Sequence, residues 1–122
     1  MFMSHYATEV CKCPYRDQID ASVPLKKQIW QQTVQCKIRN QAAVLKYVTG
    51  EDAHNMLIWA DAVKSGDADN LEGRAAAFYW KSVFVDNPKF TRSDDDVVNA
   101  MLNYGYAIVR AIVARALVGA GL

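Results

Sequence analysis

No stretch of this 122-residue chain alternates apolar and polar residues over the four to eight positions that a half-buried strand needs. No segment repeats and none is of low complexity. Sheets, solenoids and disordered tracts are therefore excluded, and an all-α fold is expected. Proline, with three residues, and glycine, with six, are too sparse to interrupt long helices at more than a few places. There are three cysteines, an odd number that rules out a fully paired disulfide framework. The start, residues 1–9, has neither the basic nor the apolar segment of a secretory signal. Free thiols in a reducing, cytoplasmic compartment are expected. His5, Cys11 and Cys13 lack a fourth partner and the paired spacing of a zinc site. The net charge of +1 points to no partner class. The longest apolar run, residues 104–122, carries Arg110 and Arg115, which argues against a membrane as partner.

What is present is helical period. Hydrophobic residues make up 52% of the chain, enough for one core. Residues 1–21 show no clear period and are expected as an irregular lead-in. Ser22-Val-Pro-Leu25 opens a helix, with a capping hydroxyl before a proline in the first turn. Ile29, Val34, Ile38, Ala42 and Leu45 recur at helical spacing up to Thr49-Gly50, which stops the helix. Asp52 is placed to cap a shorter helix over residues 53–63, with Met56, Leu57, Ala60 and Val63 inward; His54 in its first turn reads as a surface residue. A third helix follows Ser65-Gly66-Asp67 and runs to about residue 85, where Asp86-Asn-Pro-Lys89 turns the chain. Phe90 and Arg92 fall in a loop. Asp94, Asp95 and Asp96 suit the N-terminus of a last helix over residues 97–118 better than a metal site. Met101, Leu102, Ile108, Ile112 and Leu117 give that helix a wide apolar stripe, and Gly105 suggests a close helix contact. About four helices are expected, with the long C-terminal one as spine.

Charge is unevenly distributed. Residues 24–47 carry Lys26, Lys27, Lys37, Arg39 and Lys46 and no acid. Residues 51–72 carry Glu51, Asp52, Asp61, Asp67, Asp69 and Glu72 against Lys64 alone. Such a pair of segments fits a phosphate-binding face beside a cation site, and equally two helices that neutralise each other.

The third helix is the most informative stretch: Asp69-Asn-Leu-Glu-Gly-Arg-Ala-Ala-Ala-Phe-Tyr-Trp80. Asp69 or Asn70 can cap it. Glu72 lies in its first turn, where the helix dipole favours a carboxylate; it can also serve as a metal ligand or general base. Gly73 costs helix stability and lets a backbone, a metal or a phosphate approach. With Ser65-Gly-Asp67 ahead of it, this stretch resembles the metal-site helix of the CRISPR-associated adaptation endonuclease, the first Cas protein family. Trp30-Gln-Gln-Thr-Val-Gln-Cys-Lys-Ile-Arg-Asn-Gln-Ala-Ala-Val-Leu45 resembles the family's basic helix upstream. Asn99-Ala-Met-Leu-Asn-Tyr-Gly-Tyr-Ala-Ile-Val-Arg110, continued by Ala114-Arg-Ala-Leu-Val-Gly-Ala-Gly-Leu122, resembles the long helix that follows. The three stand in family order over residues 18–122, with the flavour of the branch found with the single-chain effector nuclease.

The resemblance implies a metal-dependent DNA endonuclease and integrase that inserts new spacers into a repeat array. It implies Mg²⁺ or Mn²⁺, double-stranded DNA, a homodimer and the small second Cas protein as cofactor and partners. It assigns Glu72 to the first ligand position, places Arg74 at a phosphate or at the carboxylate, and puts Lys37 and Arg39 against DNA backbone. The family's other two ligands, a histidine and an aspartate, are expected beyond the matched stretch, and its N-terminal β domain ahead of it. On this basis residues 22–122 are the first part of a larger helical catalytic domain, and catalysis by this piece alone is not expected. The alternative of another class is a non-catalytic helical module that binds DNA or a partner helix.

Overall fold

The computed structural model describes residues 16–93 and 95–120, and every regular element among them is helical. They fall into two compact units: residues 22–93, and residues 16–21 with 95–120.

The first unit is built on helix α1, Val23–Thr49. Ser22 is extended and its Oγ accepts the Leu25 N–H at 3.3 Å, which satisfies one amide of the first turn. At the far end Gly50 takes the left-handed conformation, φ 77°, and its N–H donates to the Lys46 carbonyl at 2.9 Å. Val34, Ile38, Ala42 and Leu45, four, four and three residues apart, are all buried. Against that stripe pack Met56, Ala60 and Val63 from the second helix region, and Leu71 and Ala75 from the third. Ile29 continues the stripe in sequence but lies beyond the reach of this core and is exposed.

Helix α2, His54–Ala62, is only nine residues long. One narrow face meets α1, so Leu57, a third of a turn away from Met56, stays exposed rather than inward. Asp52 does not cap it. Ala53 occupies the capping position without a side-chain bond, and the Asp52 carboxylate instead meets Lys46 Nζ at 2.8 Å. The chain leaves α2 at Val63, whose carbonyl accepts Gln31 Nε2 from α1 at 2.7 Å. A 3₁₀ turn, Ser65–Asp67, then reverses direction through Gly66 at φ 72°. Helix α3, Leu71–Val83, returns along α1 and ends two residues before the sequence pattern suggests. Phe90, in the loop beyond, is 2% exposed and closes this end of the unit on Phe84, at 4.5 Å between ring centroids, and on Trp80 at 6.0 Å.

In the second unit residues 16–19 are helical, and helix α4 spans Val97–Gly119. The Asp96 side chain caps α4 by accepting the Asn99 N–H at 2.7 Å, as the aspartate run suggests; Asp94 lies outside the described residues. Of the whole helix only Asn99 is buried. The long C-terminal helix is therefore present, but the packed core stands on α1. Among the described residues a Cβ on Gly105 would meet nothing within 4 Å, so the close helix contact expected there is not seen among them. By length and composition alone α4 could cross a membrane, although Arg110 and Arg115 would each be costly in hydrocarbon.

Candidate metal-ligand site at the start of helix α3

The turn before α3 is held by side chains rather than by regular structure. Asp67 and Asn70 both sit in the left-handed region, at φ 52° and 51°, which short polar residues tolerate best after glycine. From there Asp67 Oδ1 accepts the Leu71 N–H at 2.8 Å and Oδ2 accepts the Glu72 N–H at 3.1 Å. Asn70 Oδ1 accepts the Gly73 N–H at 3.3 Å. Three successive free amides of the helix start thus have acceptors. Of the two capping candidates Asn70 serves; Asp69 pairs with Lys64 at 2.7 Å. Asp67 is a capping residue that sequence reading missed. It lies five positions before Glu72, and only the left-handed turn brings it back to the helix start.

Gly73 has a local reason for being glycine. A Cβ there would stand 2.7 Å from Asn70 Nδ2 and 3.0 Å from Asn70 Oδ1. The group it admits is the cap side chain of its own turn.

Glu72 is fixed at its backbone by Asp67 and at its carboxylate by Lys37. Lys37 Nζ donates to Glu72 Oε1 at 2.5 Å, across 35 residues of sequence, and the Glu72 side chain is 28% exposed. The carboxylate is therefore partly buried and bonded to a single ammonium. Arg39 Nη2 donates to Asp61 Oδ1 at 2.7 Å. Arg74 lies over the Trp59 ring, 4.9 Å from its centroid, and Trp59 in turn meets Phe78 edge to face. The four residues singled out in sequence are thus split. Lys37 and Glu72 touch, Arg39 is engaged on α2, and Arg74 is held on an aromatic face. Of the two readings of the charge pattern, mutual neutralisation accounts for Lys37, Arg39 and Lys46, each paired to an acid of the 51–72 segment.

Among the described residues no three His, Cys, Asp or Glu side chains converge as a metal cluster. A hard divalent cation takes about six oxygen donors. Glu72 could supply one such position, though its Oε1 now accepts from Lys37; Asp67 is committed to backbone amides, and no group of three donors forms among the described residues. His54 is exposed, Cys36 is a free exposed thiol, and His5, Cys11 and Cys13 lie outside the described residues.

Residues 16–122 match the family described as CRISPR associated protein Cas1. The chain belongs to the Cas1 family. It is 50% identical over 102 residues to the CRISPR-associated endonuclease Cas1 of Neisseria meningitidis serogroup C (strain 8013), a match covering 82% of this chain and 33% of that relative. It is 30% identical over 108 residues to CRISPR-associated endonuclease Cas1 1 of Francisella tularensis subsp. novicida (strain U112), covering 73% of this chain and 34% of the relative. The chain thus spans about a third of the length of these Cas1 relatives. No solved structure matches it.

Proposed function

We propose that this chain is the part of a CRISPR adaptation endonuclease and integrase that carries its first metal ligand, Glu72. The observation that carries the reading is the setting of that carboxylate: first turn of α3, half-buried, backbone held by Asp67, and partnered by a cation from α1. It coincides with the ligand position that the family resemblance assigns. Carboxylates in a helix first turn are favoured by the dipole alone; Glu72 is in addition fixed from both ends.

A bound Mg²⁺ or Mn²⁺ would supply Lewis acidity at a DNA phosphate. Since Glu72 offers one donor position of about six and no group of three candidate ligands forms among the described residues, further ligands would have to complete the site. Arg74, exposed and with its guanidinium over the Trp59 ring, is suited to a phosphate or to the carboxylate. Double-stranded DNA is the substrate in this reading, in a cytoplasmic homodimer working with the small second Cas protein. The helical module without catalysis is the weaker alternative. It needs only the basic helix α1 and an apolar stripe, and in either reading Lys37 and Arg39 would have to leave their acids to meet DNA backbone.

The test is a chimera. The matching stretch of the Neisseria relative is replaced by this one, and cleavage of branched DNA is assayed with Mn²⁺. The chimera is expected to cut, and Glu72→Ala in it to lose at least about 100-fold, since even groups that only support a metal ligand are worth 10–100-fold. Undiminished cutting by the Glu72→Ala chimera would overturn the assignment.

A further inference from the structure

A second group of side chains lies at the opposite end of α3 from Glu72. A cleft of about 560 Å³ opens there between the last turns of α1, the link to α2 and the end of α3. Helical spacing builds its walls. Leu45 and Val48 stand three apart on α1; Phe78, Lys81 and Val85 stand three and four apart on α3 and just past its end. The floor is packed, with Leu45 buried and Phe78 partly so. The lips are not: Val48 is 53% and Val85 70% exposed. Glu51, from the link, and Lys81, from α3, line the same cleft with opposite charges. Among the described residues neither forms an ion pair, whereas Lys37, Arg39, Lys46 and Lys64 each meet an acid.

We propose that this cleft docks a short protein segment that sets one large apolar side chain between a basic and an acidic residue. The apolar residue covers Val48 and Val85, the basic one meets Glu51, and the acidic one meets Lys81. The volume lies in the range of binding sites, about 300–1,000 Å³. Exposed lips suit a segment laid across them better than an enclosed small molecule. Glu51, with Asp52 next to it at the cleft, repels a phosphate backbone, which disfavours nucleic acid here. Opposite charges placed either side of an apolar contact fix the register and orientation of a partner more than its affinity. The proposal is independent of any ligand at Glu72.

The test is selection of peptides on the whole 122-residue chain. A displayed library of random short peptides is panned on it, with the Val48→Asp/Val85→Asp variant as counter-selection. Enriched peptides are expected to share a large apolar residue flanked by one basic and one acidic residue. Panned on Lys81→Glu, the acidic position is expected to turn basic; panned on Glu51→Lys, the basic position is expected to turn acidic. The consensus peptide is then synthesised and its binding followed by fluorescence anisotropy. Lys81→Gln and Glu51→Gln are each expected to weaken it about two- to fivefold, the worth of an exposed ion pair. Val85→Asp is expected to weaken it at least about tenfold, the worth of covering one valine. All four positions are exposed, and thermal melts confirm that each variant is folded.

Enriched peptides without the charge pattern, or equal binding to the Val48→Asp/Val85→Asp chain, would overturn the proposal. A consensus that both charge reversals leave unchanged would do the same. Displacement of the consensus peptide by a short DNA duplex would assign the cleft to nucleic acid instead. Gel filtration without peptide addresses the remaining occupant: a dimer that the Val48→Asp/Val85→Asp variant loses would give the cleft to a second copy of the chain.

Discussion

Helix α4 is richer in apolar residues than residues 22–93, yet far less of it is buried. In residues 22–93, three helices and a 3₁₀ turn place Val34, Ile38, Met56, Ala60 and Ala75 at or near zero exposure. In α4, Met101 is 70% and Ile112 63% exposed, and the one buried side chain is a polar asparagine. A stripe of apolar residues at helical spacing is thus a capacity to pack. Whether it lends stability depends on a facing surface, which α2 and α3 supply to α1.

The difference can be broken most sharply by truncation. Phe90→Ala is expected to cost about 3–5 kcal/mol and Ile38→Ala about 2–5 kcal/mol, because each empties a filled, dry site. Ile112→Ala, at an exposed site on α4, is expected to change stability by less than about 0.5 kcal/mol. Urea unfolding followed by circular dichroism measures all three. Equal costs for Ile38 and Ile112 would mean that α4 is as deeply packed as α1, and the contrast would be lost.

A smaller effect, of opposite sign in the two regions, comes from glycine. Gly105→Ala meets open space within a helix and is expected to stabilise by about 0.4–1 kcal/mol. Gly73→Ala drives a methyl group into the Asn70 amide and displaces a cap worth about 1 kcal/mol, which cancels or reverses that gain. In an Asn70→Gly background the obstacle is gone, and Gly73→Ala is expected to stabilise like Gly105→Ala. Thermal midpoints of the four variants decide it.

The smallest effect is electrostatic. The hydrogen bond from Lys46, and then its charge, hold the Asp52 carboxyl below the ordinary aspartate value; the same pair raises the Lys46 ammonium. A lowered carboxyl favours the folded state once it is ionised. Its contribution is present above the unfolded-state value and is lost as pH falls through the folded-state value, in the acid range below about pH 4. Both groups are fully exposed, so no measurable shift in the unfolding midpoint is expected from Lys46→Gln. Side-chain carboxyl NMR is expected to show Asp52 titrating higher in that variant. An unchanged Asp52 titration would show that the pair does not persist in solution.

Much of this was legible in the residues. The period of Val34, Ile38, Ala42 and Leu45 marks the buried face of α1, and Ser22 and Gly50 mark its ends, because caps depend on a few neighbouring backbone groups. Asp96 before α4 is legible for the same reason. The resemblance around Glu72 was legible too, and the family is the one expected. Less legible were Asp52, which turns back to Lys46 instead of capping, and Leu57, which an otherwise sound period places inward. Phe90 looks like a loop residue until Phe84 and Trp80 are seen to fold over it. Asp67 acts on amides four and five residues ahead only because two residues adopt left-handed backbone.

By itself, then, the sequence determined helix class, helix ends and the position of the candidate carboxylate, since these follow from contacts within a turn or two of chain. Tertiary structure alone decided which charges meet. Lys37 finds Glu72 across 35 positions, and Arg39 finds Asp61 across 22. Such partners are chosen by how three helices pack, and the packing depends on the shape of a shared core that no local pattern encodes.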